Sequence, residues 1–496
     1  MDGLDHAHVD GPAAPPGTAV PPPARSCPAA ETAPVRWSPV AAPGALPLLG
    51  HAPRMLRDRL AFLEELRDLA PVTEIRLGRE RVLVISDHRL VRDVLVRRAS
   101  DFGLSPHFRV MRRIIGNGLL ATDGAFHRQQ RRIMLPAFTQ ARMPHYARTM
   151  TALTEQHLGR WCPGRTLDLD RELTALATEA VARCLFGTGV PAEDIADVVA
   201  AVPHLMAWAG SRGMDPTGLL QYAPTPVNRR FARSMRVLDA LVRRIVADCR
   251  TAARKRPAPS DDDTDVVTAL VCAYDADTRA PLSDRQVRDE VMSLLIAAVE
   301  SVSRTLTWAV HLLDAHPQVL AALHREVDAC LAGRTATWAD LERLPHTRHI
   351  LSEVLRLYPP GYLISRTAVR DTTLGDGVSV PAGTMVMFSY YALQRDPRLF
   401  PGPREFRPER WAARGDDEGT RRAFLPFGLG AHSCLGEAFA WTQMSIVLAS
   451  LAARHRLRPA GSLPVRPVAA FSLTLTNARV TVESRTPRPA TTEGAT

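Results

Sequence analysis

The chain has 496 residues, 46% of them hydrophobic, and 62 basic against 52 acidic side chains leave a net charge of +10. The basic residues, all Arg except Lys255, form short clusters without interleaved aromatics, which makes nucleic acid a poor candidate partner and suits an acidic protein. Seven scattered cysteines (27, 162, 184, 249, 272, 330, 434) with no CxxC argue against a disulfide framework or a structural zinc site and point to a reducing, cytoplasmic compartment.

In chain order, residues 1–40 are rich in Pro and Ala and read as a disordered tail, without the charged and apolar regions of a signal peptide. Residues 55–69 carry apolar positions at helical spacing. "VTEIRL" and "RVLVIS" flank Gly78-Arg79-Glu80 as a hairpin. From about 88 to 350 the pattern is helical, with its largest breaks at 100–122, 210–226 and 255–265. A second β-rich patch covers 362–390, an irregular Pro/Arg/Gly-rich stretch 395–432, a helix 437–455 and alternating strands about 464–484. Residues 486–496 read as a second disordered tail. No run of about 18 apolar residues appears, so no membrane span is expected. The fold class is mainly α with a minor β portion, and length alone predicts two or three domains.

The stretch "FLPFGLGAHSCLGEAFAW" places Cys434 among glycines just before the last helix. Glycines there permit positive φ and close approach of a flat ligand. A cysteine at a helix N-terminus faces free N–H groups and the positive dipole end, which favour thiolate. Such a thiolate can hold haem iron. A buried, inert thiol is the other reading, and chemistry alone leaves both open.

Phe427, Gly430, Cys434 and Gly436 match the FxxGxxxCxG loop, and the segment resembles the haem-binding loop of the cytochrome P450 family. The resemblance spans about residues 40–485 and implies one large domain, 41–485, instead of two or three. It implies haem b on Cys434, with Phe427 beside the sulfur and His432 at the position often held by a propionate-binding Arg. His127 and Arg131, at i and i+4, and Arg366 match other propionate contacts. Glu353 and Arg356 form an ExxR pair that, with Arg410, implies a structural triad bracing the loop. A second ExxR, Glu64 to Arg67, reads as a solvated helix face.

The family's A-G-x-[DE]-T-[TS] pattern meets Ala297-Ala298-Val299-Glu300-Ser301-Val302 here. The acid is kept as Glu300, the threonine becomes Ser301, and the glycine becomes Ala298. The resemblance implies that Glu300 and Ser301 relay protons to bound oxygen. By family position, Phe108, Met111, Trp208, Met214, Ala297, Leu363, Ile364 and Phe471 are substrate contacts, and their apolar character implies a lipophilic small molecule. The implied activity is O2-dependent oxidation by a monomer, with electrons from a separate ferredoxin and ferredoxin reductase. The expected setting is bacterial terpenoid or polyketide metabolism. A peroxide-driven enzyme and a non-catalytic haem-binding or sensor protein are the two alternatives.

Overall fold

Apolar residues recurring at helical spacing make long helices of the middle of the chain, and those helices meet along one that runs through the core. The computed structural model describes residues 38–185, 191–212, 219–255, 266–274, 280–375, 377–412, 418–461 and 465–485. The two tails expected to be disordered lie outside these residues almost entirely, and Met214 lies outside them too. The helices that matter below are α1 (Gly124–Met134), α2 (Leu169–Leu185), α3 (Ala192–Arg212), α4 (Pro226–Lys255), α5 (Asp284–Ala315), α6 (Pro345–Leu357) and α7 (Glu437–Arg454).

Ser283 starts α5 with a reciprocal capping box to Gln286, which satisfies two N–H groups at its first turn. Val291, Leu295, Ile296 and Val299 belong to one apolar cluster, Val302, Leu306, Trp308 and Leu313 to another. One helix therefore serves both cores, which is why the chain folds as a single domain and not as two. α2, α6 and α7 all pack against it.

The main sheet has six strands in the spatial order Val40–Ala41, Val72–Leu77, Glu80–Ile85, Met385–Ser389, Leu363–Ala368, Phe102–Leu104. Val72–Leu77 and Glu80–Ile85 form the expected antiparallel hairpin, turning at Gly78 with φ +63°. Leu363–Ala368 runs between two neighbours, so Arg366 lies opposite both Leu104 and Val386. That register carries Arg366 to the site described below.

Three local expectations differ from the structure. The helix at 55–69 is two helices, Ala52–Arg57 and Arg59–Leu69, parted at Asp58, whose side chain accepts the Ala61 N–H and caps the second. Thr166–Asp168, inside the helical region, is a strand paired with Arg479–Ser484. Three residues carry no readable period, and their partner is distant in sequence. The last helix ends at Arg454, because His455–Pro459 pairs with the same strand.

Candidate active site

Cys434 lies on a loop whose shape depends on glycine. Gly428 and Gly430 take φ of +72° and +69°. A Cβ on Gly430 would come within 2.1 Å of the Leu95 carbonyl oxygen, on a single π-helical turn at Asp93–Arg97. Gly430→Ala is therefore expected to disorder the loop and lower haem content several-fold at unchanged helix content. Absorbance per protein and circular dichroism check this. Gly436 differs: its φ is −91°, and a Cβ would meet only Phe138, at an ordinary 3.8 Å. Nothing in the protein requires glycine there, so any demand for a small residue comes from what the loop would hold.

The Cys434 N–H donates to the Phe427 carbonyl at 2.8 Å, and the Phe427 ring lies 5.6 Å from that of Trp441 on α7. Cys434 is surrounded by protein atoms and yet accessible to solvent, as a group on the floor of a cleft is. Burial pushes its thiol up to about 11, outweighing the Gly436 N–H and Arg131, which act the other way. A bound metal would have to displace the proton itself.

Around the loop gathers a set of basic side chains from three elements. Arg131 of α1 donates from Nη1 to the Ser433 carbonyl at 2.7 Å and from Nη2 to the Ser433 hydroxyl at 3.0 Å. His127, one turn earlier, lies against His432 with ring centroids 4.0 Å apart and the rings tilted by 32°. Burial and the neighbouring His432 and Arg131 lower its pKa to about 4, so it is neutral at physiological pH. His432 Nε2 is 3.0 Å from Asp123 Oδ1, and Asp123 also accepts the Leu104 N–H at 2.6 Å. The sequence reading missed Asp123; its position four residues before His127 was the available signal.

Arg366 tests whether a haem fits. It is held in the sheet, burial lowers its pKa, and its Nη1 donates to the Ser365 carbonyl at 3.2 Å. Among the described residues no carboxylate lies within ion-pair distance of it, and Asp123, already engaged with His432 and the Leu104 N–H, attracts it only from farther away. A buried guanidinium in that state needs an anion, and with His127, Arg131 and His432 it matches the two propionates of a haem whose iron meets Cys434. The residues fit the group.

Behind the loop, the Glu353 carboxylate of α6 is wholly buried and receives five N–H donors. Arg356 supplies two, at 2.9 and 2.8 Å. Arg410 Nε supplies one at 2.9 Å, the Arg407 amide one at 3.0 Å and Trp411 Nε1 one at 2.9 Å. The expected triad is thus assembled, with Trp411 as a partner that the sequence reading overlooked beside Arg410. Gln394 carries the brace to the loop: its amide donates to the carbonyls of Leu355 and Arg356, and its oxygen accepts the Leu425 N–H at 3.0 Å. The other ExxR is not a solvated face. Arg67 is buried and donates to the carbonyls of Ala392 and Arg395, while Glu64 pairs with Arg404.

On α5, Ala297 and Ser301 lie one turn apart. Ala297 is exposed in the middle of an apolar helix, and the Ser301 hydroxyl donates to its carbonyl at 3.1 Å. Glu300 has a different environment: its Oε1 is 3.5 Å from Arg304 Nη2, and Arg304 pairs in turn with Asp170 at the start of α2. Burial holds the Glu300 carboxyl above its usual range against the pull of Arg304. The acid is therefore fixed in an ion network; Asp170, whose side chain is about one-quarter exposed (27%), leads that network to solvent.

Of the apolar candidates, Phe108 and Phe471 are half-buried with rings 6.5 Å apart, and Gly210 of α3 lies against the Phe471 backbone. Leu363 and Ile364 are half-buried on their strand. Met111 and Trp208 are in the core, 0% and 1% exposed, with Trp208 stacked on Phe231 at 4.0 Å and donating to Asn228.

Residues 40–482 match the family model "Cytochrome P450". Cyclooctatin synthase of Streptomyces melanosporofaciens is 39% identical, over 90% of this chain and 96% of its own. Cyclooctat-9-en-7-ol 5-monooxygenase of the same organism is 38% identical, over 85% of this chain and 90% of its own. Pentalenene oxygenase of Streptomyces avermitilis is 34% identical, over 86% and 93%. The crystal structure of the cytochrome P450DA heme domain shares the fold, with a TM-score of 0.78, 23% identity and coverage of 91% of this chain and 99% of that one. The chain belongs to the cytochrome P450 family and is a haem-iron monooxygenase of it.

Proposed function

We propose that this enzyme inserts an oxygen atom from O2 into a cyclic terpenoid, using haem b bound through Cys434. The observation that carries the substrate class is the match, across most of both chains, to oxygenases named for a cyclic unsaturated alcohol and for pentalenene. The half-buried Phe108, Phe471, Leu363 and Ile364 suit such a ligand, because apolar walls hold a hydrocarbon by burial and leave only its shape to orient it. In this reading the unit works in the cytoplasm as a monomer, with electrons from a separate ferredoxin and its reductase.

When bound, the haem supplies oxygen activation and oxygen-atom transfer. The chain's own residues do the rest. Cys434 would hold the iron as thiolate, Arg131 and Arg366 would neutralise the propionates, and the His127 and His432 rings would donate hydrogen bonds to them. Ser301 has its donor on the Ala297 carbonyl and keeps its lone pairs free to accept a proton-bearing water. Arg304 stays charged and holds Glu300 in place, with Asp170 behind it; Glu300 would take its protons from water on the Asp170 side and pass them toward Ser301. Ser301→Ala should leave substrate binding intact and lower product formed per electron roughly tenfold or more. Oxygen consumption set against product measures that ratio.

Turnover of a sesquiterpene and diterpene panel with a surrogate ferredoxin and reductase tests the proposal. It predicts a product gaining one oxygen atom, labelled when the gas is heavy-isotope O2. Product formed only with peroxide would favour the peroxide-driven alternative, which the fixed position of Glu300 brings into consideration.

A further inference from the structure

The stretch between the Phe102–Leu104 strand and α1 carries Phe108 and is anchored at both ends. The Ser105 and Ser365 hydroxyls share a hydrogen bond at 2.6 Å, which ties its start to the sheet. Its end runs into α1, which bears His127 and Arg131. Met111, Ile114, Ile115 and Leu119 belong to the same apolar cluster as Val291 and Leu295 of α5. Burial of that kind is non-directional, so it holds the stretch down without fixing where along the helix it sits.

Three side chains of α5 supply that direction. Asp289 Oδ2 accepts the Asn117 N–H at 2.8 Å, Glu290 Oε2 the Leu119 N–H at 2.8 Å, and Ser293 Oγ the Leu120 N–H at 3.3 Å. The approach is close enough to require glycine. A Cβ on Gly118 would lie 2.4 Å from the Asp289 carbonyl oxygen, and one on Gly116, at φ +57°, would lie 2.1 Å from the Asp289 carboxylate. Arg288 keeps that carboxylate in place, donating to Asp289 Oδ1 at 2.8 Å and from Nε to Asp239 of α4 at 2.8 Å. Burial pushes the Glu290 carboxyl up to about 8, with Asp289 acting the same way and the Leu119 N–H against it. At physiological pH Glu290 therefore accepts as a neutral acid. Ser293 is one turn before Ala297 and two before Ser301, so the clamp and the oxygen-side turn share one rigid helix.

We propose that Asp289, Glu290 and Ser293 are positioning residues that set the gap between the pocket wall bearing Phe108 and the Ala297–Ser301 turn, and so select which carbon of the substrate is oxidised. An apolar ligand offers the site no polar handle, so the spacing of its walls decides its orientation. The choice of carbon rests on the cyclic terpenoid proposed above, whereas the spacing of the walls does not depend on which apolar molecule lies between them.

Two haem ligands separate the clamp from the substrate class. Imidazole needs only the iron, while 4-phenylimidazole must also fit its phenyl ring between the walls. In spectral titrations of the full-length holoprotein, Glu290→Leu removes the acceptor and should weaken the phenyl compound roughly tenfold, leaving imidazole within about twofold. Glu290→Gln, neutral like the acid it replaces, should restore the parent value. Gly116→Ala forces the stretch away from α5 without altering the helix and should act as Glu290→Leu does; it carries the comparison if the Leu variant does not hold haem. With a terpenoid that the parent oxidises, the Leu and Ala variants should redistribute oxygen among the product's carbons, and the Gln variant should not. Equal weakening of both ligands would make these residues supports of the haem fold and overturn the proposal. Parent-like binding of the phenyl compound in both the Leu and Ala variants would overturn it too. Failure of every terpenoid tried would overturn the substrate class alone, because the two-ligand comparison uses no terpenoid.

Discussion

Glu353→Ala should yield a protein that does not retain haem and is less stable by about 3–5 kcal/mol. The size follows from what the substitution strands. Arg356 is 0% exposed and would keep its charge with no carboxylate beside it. Trp411 Nε1, Arg410 Nε and the Arg407 amide would lose an acceptor at the same moment. The damage would reach the cysteine loop through Gln394, which ties the end of α6 to Leu425. Haem-to-protein ratio and the thermal midpoint of the purified variant measure both effects. A variant with full haem and an unchanged midpoint would show that the brace is not needed.

Cys434→Ala should lower turnover by at least about a thousandfold while leaving the chain folded. Alanine keeps the Cβ and removes only the sulfur, so the loop can retain its shape through the Cys434 amide and the Arg131 contacts to Ser433. What disappears is the thiolate ligand, whose electron donation favours O–O cleavage. Product formation with saturating redox partners, alongside circular dichroism, separates lost chemistry from lost fold. Turnover within a few-fold of the parent would remove Cys434 from the mechanism.

Much of this site was legible in the sequence because its signals are local. The cysteine loop is ten consecutive positions, and His127 and Arg131 share a face by helical spacing alone. ExxR is local too, yet its two copies here have different surroundings, and only the fold shows that Arg67 is buried by the carbonyls of Ala392 and Arg395. The ion network around Glu300 was not readable, because Asp170, which pairs with Arg304, belongs to another helix far back in the chain. Trp411 and Gln394 were overlooked because one indole N–H and one amide acquire meaning only through the groups they reach. For the Cys434 thiol only one of two opposing influences was readable, because the dipole belongs to the helix start, whereas burial depends on everything packed around it. Parts of the fold failed for the same reason: Thr166–Asp168 is a strand only because Arg479–Ser484 lies beside it.

The carbon monoxide difference spectrum of the reduced, full-length protein tests the central claim most directly. A haem held by the Cys434 thiolate gives the long-wavelength absorbance band of thiolate-ligated iron, and that band should be absent from Cys434→Ala. A band at the shorter wavelength of imidazole-ligated iron in the parent protein would contradict the account.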